Sequence, residues 1–390
     1  PVVVPADSVY HVVAIDVNTG DVKDKTSFIG SSSESVLYMS NNSIYLTYFY
    51  PGDTIKYSYN FFLENKDLVP SWLIEKMQKL QSYDISESAK MAEYQNLLNK
   101  WQSALSEDER LKVQNELTNK MSDYSAAHLR ELEQTGIVKI GLDGLKVLGN
   151  GNVPGRLLNQ FSMDEYQNNL RVATTVGQGW WGMGWFGGSS KSESDVYVLN
   201  SEMKTVGSAK GMGKEERIYS VRFIGDRGYV VTFKQVDPFY VLDLTSANNP
   251  KISGELKIPG YSSYLQPLGD HTVLGIGMED NQVKLSIFYV RDASQPKEVA
   301  KYKLDEYWSE ALNNHRAFLL DSKNEIFFLP GGKGGYVFSY SGNGLKLVKA
   351  ISGYQVQRAL YIDNNLYVVS QDKISVFSMS NWEKVNELVF

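Results

Sequence analysis

Apolar and polar positions alternate in short runs along most of this chain, and the runs come in pairs. One series reads Val36-Leu37-Tyr38 with Ile44-Tyr45-Leu46, then Gln160-Phe161-Ser162 with Leu170-Arg171-Val172. It continues with Tyr219–Phe223 and Gly228–Val231, with Tyr264-Leu265 and Val273–Ile276, with Ala317–Leu320 and Ile326–Leu329, and with Ala359–Ile362 and Leu366–Val369. A second series interleaves with it: Val12–Asp16 with Val22–Thr26, Ile137–Ile140 with Leu145–Leu148, Val196–Leu199 with Thr205–Ser208, and Tyr240–Leu244 with Ile252–Ile258. Leu285–Val290 with Val299–Leu304, Tyr336–Tyr340 with Leu345–Ala350, and Ile374–Phe377 with Val385–Phe390 complete it. Alternation of this kind predicts half-buried strands. The links between paired runs carry Asn, Asp, Gly, Ser and Pro, which supply the backbone angles that hairpins need.

Two pairs per unit at a spacing of roughly 40–50 residues describe four-stranded units repeated around an axis. The expected fold is therefore all-β, a β-propeller with six complete four-stranded blades and a partial N-terminal blade. The tally of pairs is uneven: the segment 8–28 reads as an outer pair with no inner pair before it. A two-stranded fragment is marginal alone, so its inner partners are expected from elsewhere. The reading is of the C-terminal part of a longer precursor, cleaved or truncated near Pro1, whose upstream part completes the ring.

One segment follows a different period. Over residues 67–134, Met91, Tyr94, Leu97, Leu98, Trp101 and Leu105 recur at helical spacing. So do Val113, Leu117, Met121, Tyr124, His128 and Leu132. Pro70 suits a first helical position, and Ser106 with Glu109 forms a capping box. The organisation expected is propeller over 1–66, a helical insertion over 67–134 on one rim, and propeller again over 135–390. The apolar stripe reads as the core of a helical hairpin, or as a groove for a partner helix. A second interruption, Gly177–Ser194, contains Trp180, Trp181, Trp185 and Phe186 among glycines. Both interruptions lie between second and third strands, so both are expected on the same face. Clustered aromatics mark recognition surfaces, which makes these four the partner-binding candidates, unless they pack under the helices.

Composition narrows the chemistry. The 390 residues carry a net charge of −6 and no run of basic residues, against a nucleic-acid partner. The absence of cysteine excludes disulfides, thiolate metal sites and cysteine nucleophiles. The four histidines, His11, His128, His271 and His315, are scattered, so no metal site is expected. No apolar stretch approaches the roughly 20 residues of a membrane helix. No cofactor is expected: the Gly182–Gly188 and Gly331–Gly335 strings do not run from strand into helix as phosphate loops do. The turn Asp16–Asp21 alternates oxygen-bearing residues as calcium loops do, but lacks the twelfth-position Glu and reads as a hairpin turn.

Polar residues on the predicted inner strands are candidates to line a central channel: Asp164, Arg171, Arg222, His315 and Arg358, with Glu165 and Arg316 beside them. Asp164 and Glu165 are adjacent, so a strand points them to opposite faces, against a paired-carboxylate glycosidase. No catalytic residue is assigned.

The segments Leu158–Tyr166, Leu170–Thr175, Arg217–Phe233, Val236–Leu244 and Gly254–Leu265 resemble the secreted archaeal and bacterial β-propeller family distantly related to WD40 repeats. The resemblance extends along nearly the whole chain and is weakest in the helices and the Trp-rich loop. It implies an exported protein, often lipid- or membrane-anchored, without an established activity, whose members usually continue upstream. Asn314-His315 departs from a family stretch that usually has Asp before the His. The functional expectation is a non-catalytic scaffold, extracellular or at the cell surface, that binds a protein or cell-envelope partner through its rim insertions. The alternative is a hydrolase or lyase acting at the channel mouth through His315 and nearby arginines.

Overall fold

The computed structural model describes residues 7–177, 191–234, 237–353 and 355–390. The chain divides into two compact units, Pro1–Arg217 and Ile218–Phe390. Among the described residues there are six four-stranded antiparallel sheets and one two-stranded sheet. The fold is the expected all-β propeller.

The first unit opens with the two-stranded sheet, β1 (Ser8–Ile15) and β2 (Val22–Gly30). The next sheet runs in the order β3 (Val36–Met39), β4 (Ser43–Pro51), β5 (Glu133–Gly141) and β6 (Val147–Pro154). β4 and β5 pair over their full length, from Ser43 with Gly141 to Pro51 with Glu133. The helices are thus inserted at the closed end of an otherwise regular hairpin. A third sheet, between Met163 and Met212, completes the unit. Tyr45, Ile137 and Val153 pack with Leu170, Val172, Tyr197 and Leu199 in one buried cluster, so the alternating faces of neighbouring sheets build the core between them.

Four more four-stranded sheets follow among the described residues, the first beginning at Arg217 on the boundary and the others in the second unit at Tyr261, Leu319 and Val356. The cores of the second unit repeat the arrangement. Tyr229, Phe239 and Val241 pack with Leu265, Val273 and Phe288, and Phe328 and Val337 pack with Val356, Leu366 and Phe377.

Four helices make the insertion: α1 (Thr54–Glu64), α2 (Ser71–Ser82), α3 (Glu87–Ser103) and α4 (Glu107–Ala127). Asp53, Ser86 and Ser106 cap the first, third and fourth, each accepting a hydrogen bond from a first-turn amide. Their apolar faces converge: Phe61 and Phe62 from α1, Leu73 and Met77 from α2, Tyr94 and Trp101 from α3, and Leu117 and Tyr124 from α4. The stripe on α4 is therefore used inside the helical segment.

Several boundaries differ from expectation. Helix begins at Thr54 rather than at 67 and ends at Ala127 rather than at 134. Residues 54–66 read as propeller in the sequence because α1 is rich in Tyr and Phe, residues that favour strands when taken singly. The Asp53 cap and burial of Ile55, Tyr57, Phe61 and Phe62 decide for helix. Pro70 sits one residue before α2, as its N-cap. Gln160–Ser162 and His315–Ala317 are short 3-10 turns, and the strands start after them, at Met163 and Leu319. In both turns an Asn side chain, Asn159 or Asn314, accepts from a backbone amide two residues on. That local bond competes with the sheet ladder.

Candidate functional site

In the first unit, the exit of the helical insertion is bonded to the strands that flank the Trp-rich loop. Arg130 donates from Nε to Asp195 at 2.7 Å and from Nη2 to Glu193 at 2.8 Å. Asp195 is fully buried and also accepts from Tyr197 Oη at 2.7 Å and from the Gly211 amide at 3.0 Å. The paired carboxylates hold the Arg130 guanidinium well above its ordinary pKa, chiefly through the hydrogen bond to Asp195. Burial, then the Asp195 charge, pushes Tyr197 far up. Glu133, also buried, accepts from Arg156 Nε at 3.0 Å and from the Gly177 amide. The Arg156 guanidinium lies over the Phe49 ring at 3.7 Å and pairs with Glu34. A Cβ on Gly177 would meet the Leu129 side chain at 2.5 Å. The end of the insertion and the start of the loop are therefore in contact. The candidates Trp180, Trp181, Trp185 and Phe186 themselves lie outside the described residues.

The channel candidates fall into separate groups. Asp164 and Arg171 are directly opposite on neighbouring strands and form an ion pair, with Arg171 almost wholly buried and its guanidinium 4.7 Å from the Tyr166 ring centre. Glu165 turns away from Asp164 and accepts from Ser40 and Asn42 instead. The two carboxylates thus serve different partners.

In the second unit, Arg222 Nε donates to the Leu265 carbonyl at 2.9 Å, and its guanidinium lies 5.4 Å from the Tyr264 ring centre. His315 lies against the same Tyr264 ring, the two ring centres 6.5 Å apart. Burial, reinforced by Arg316 and Arg222, lowers the His315 pKa, so the imidazole is held neutral. Burial lowers the Arg222 pKa as well. Arg358 pairs in register with Val369 and is exposed. A neutral imidazole beside a guanidinium could accept a proton.

Two features went unnoticed in the sequence. Glu306 is buried and accepts from the Gly332 amide at 3.2 Å, the Lys333 amide at 2.8 Å and Tyr336 Oη at 2.6 Å. The glycine-rich turn is thus an anion cradle already filled by the protein's own carboxylate. Tyr307 and Trp308 follow Glu306 directly and are 74% and 43% exposed. The second feature is a partly exposed trio: Tyr219, Phe233 and Tyr261, with ring centres 4.9–5.4 Å apart. The Asp305–Ser309 run gave a signal that could have been read: two large aromatics stand outside any strand alternation.

Among the described residues no group of three or more His, Asp or Glu is placed to hold a metal ion. The Asp16 turn is closed internally, with Asp16 accepting from the Asn18 amide at 2.8 Å and pairing with Lys23 at 2.6 Å. No helix is long and apolar enough to cross a membrane, again among the described residues.

A beta propeller domain model matches residues 2–382. An uncharacterized protein of Archaeoglobus fulgidus is 52% identical over 385 residues, covering 99% of this chain and 60% of that protein. An uncharacterized protein of Methanocaldococcus jannaschii is 39% identical over 388 residues, covering 98% of this chain and 61% of that one. The chain thus spans about three-fifths of the length of the curated relatives it matches. Among solved structures, apo AztD from Citrobacter koseri is similar at 15% identity and a TM-score of 0.45, over 66% of this chain and 68% of that one. The C-terminal WD40 domain of Sif2 is similar at 8% identity and a TM-score of 0.38, over 66% of each chain.

Proposed function

This chain belongs to the beta propeller domain family, and on that premise we propose that it is a non-catalytic scaffold that binds a macromolecular partner through its rim insertions. The observation that carries the reading is the anchoring of the insertions. The half-buried Arg130 and Arg156 pair with the buried carboxylates of Asp195 and Glu133, and these ion pairs fix the exit of the helical segment against the strands bordering the Trp-rich loop. A buried network of this kind stiffens whatever it joins. Rigid presentation of a surface lowers the entropy cost of binding. Tyr307 and Trp308 are held in the same manner, on a loop tied down through Glu306. The partner is a protein or a cell-envelope component. The extracellular or cell-surface location rests on the family resemblance alone, and fractionation of source cells tests it.

The binding test exploits the hairpin beneath the helices. Pro51 pairs with Glu133, and the Gly52 amide donates to the Leu132 carbonyl at 2.9 Å, so a tight turn can replace residues 53–131. The variant is expected to keep its sheet spectrum and to lose capture of the partner from envelope extracts. Undiminished capture by a folded variant would move the binding surface elsewhere. The rival reading places hydrolase or lyase chemistry at His315, whose lowered pKa and nearby Arg222 favour it. Turnover that disappears in His315→Ala would establish that rival.

A further inference from the structure

The two-stranded sheet carries a mark of its place in the repeat. In each of the six four-stranded sheets, the third and fourth strands pair with a residue skipped on the later strand close to the turn that joins them, and the pair ending at Met212 shifts a second time, between Ala209 and Met212. The skipped residues are Leu148, Val206, Ser253, Val299, Val348 and Val385. The second and third strands pair in unbroken register in every sheet. Where first and second strands shift, the skipped residue is on the earlier strand, as at Ser263 and Gln357. Between β1 and β2, Ala14 pairs with Asp24 and Ile15 with Val22, so Lys23 is skipped, on the later strand. A bulge of this kind is a specific structural device that recurs in place. It identifies β1 and β2 as a third and a fourth strand. The bare edge of β1 is the one that a second strand occupies in all the other sheets.

The exposed side chains agree. One face of the hairpin carries Val9, Val13, Ile15, Val22 and Ile29, between 43% and 73% exposed. Leu37 and Met39 on the first strand of the following sheet are also exposed, whereas the first strand of the third sheet, Met163–Tyr166, exposes no large apolar residue. Open edges with an apolar face are templates for added strands.

We infer that β1 captures a two-stranded antiparallel hairpin from the part of the gene product lying outside these 390 residues. Chain is available for it: the archaeal relatives match over only 60% and 61% of their own length. A second copy is a poor donor. Each second strand here already has a neighbour on both sides, so a copy has no inner hairpin to give. This inference is independent of the rim-binding reading.

The test uses the full-length gene product, mixed as light and heavy isotope forms, with p-benzoylphenylalanine in place of Val13. The expected crosslink joins position 13 to a residue outside 1–390. A crosslink within 1–390, a light-to-heavy crosslink between two β1 strands, or none at all overturns the inference. In parallel, Val13→Lys in the full-length protein should speed amide exchange along β1 by about 100-fold, with β4 and β5 unchanged. Unaltered exchange in β1 of that variant also overturns it.

Discussion

Between the second and third strands of its first four-stranded sheet the chain spends Thr54–Ala127 on four helices, and ahead of that sheet the described residues form the β1–β2 hairpin. Both segments depart from the four-strand repeat, but they differ in what they leave exposed. The helices bury Phe61, Phe62, Leu73, Met77 and Leu117 almost completely in a core of their own. The hairpin leaves Val9, Val13, Ile15 and Ile29 facing water. The difference follows from where each structure places its hydrogen bonds. A helix satisfies its interior backbone groups within itself, so four helices need only one another to close a core. A strand satisfies half of its groups on each side, so two strands always leave two edges for something else.

The largest expected effect breaks the helical side of the comparison. Phe62→Ala opens a cavity in the insertion core and should cost about 3–5 kcal/mol. Limited proteolysis should then cut within Thr54–Ala127 while amide protection in β4 and β5 persists. Simultaneous loss of protection in the sheet would mean that the helices and strands form one cooperative core after all.

Alkaline titration comes next. Burial pushes the Tyr94 hydroxyl up to about 12. An unfolded chain ionises it near pH 10, so its contribution is intact below pH 10 and is lost as pH rises through 10 toward 12. The loss is roughly 2 kcal/mol over that interval. Thermal melts between pH 9 and 12 should show a flatter decline for Tyr94→Phe than for the parent chain. Equal slopes would remove Tyr94 from the account.

Ser106→Ala removes the side-chain half of the capping box at the start of α4 and leaves the backbone amide at that position bonded to the Glu109 carboxylate. The expected cost is about 1 kcal/mol, read as faster amide exchange in the first turn of α4. Asn at the same position should recover most of it.

The smallest effect is expected at the open hairpin. Val13→Lys in residues 1–390 alone should change stability by less than about 0.5 kcal/mol, because Val13 is already 43% exposed. A substantially larger loss in denaturant titration would show that this face is packed in the isolated chain, and the contrast with the helices would fail.

The strand pairs were legible because alternation has a period of two, and one buried face leaves that imprint in any sequence. The capping box was legible because both of its partners are local. The first helix was not, since Tyr57, Phe61 and Phe62 are equally at home in a strand, and only their burial with Trp101 and Tyr124 decides. The Asp164–Arg171 pairing was missed although both residues were named as candidates. Register, which sets them opposite each other, is a property of two strands together. The filled cradle at Gly331–Lys333 lay equally out of reach, because Glu306 stands 26 residues away from Gly332 in sequence.

The sequence by itself determined the repeat, the number of strands in it, and the position of the helical interruption between a second and a third strand. Each is written in periodicity, which depends only on near neighbours along the chain. Tertiary structure decided which charges neutralise one another, which aromatic residues stay exposed, and where the register between paired strands skips a residue. Those outcomes depend on pairing between distant segments. A single residue skipped in register leaves no trace in hydrophobic pattern alone.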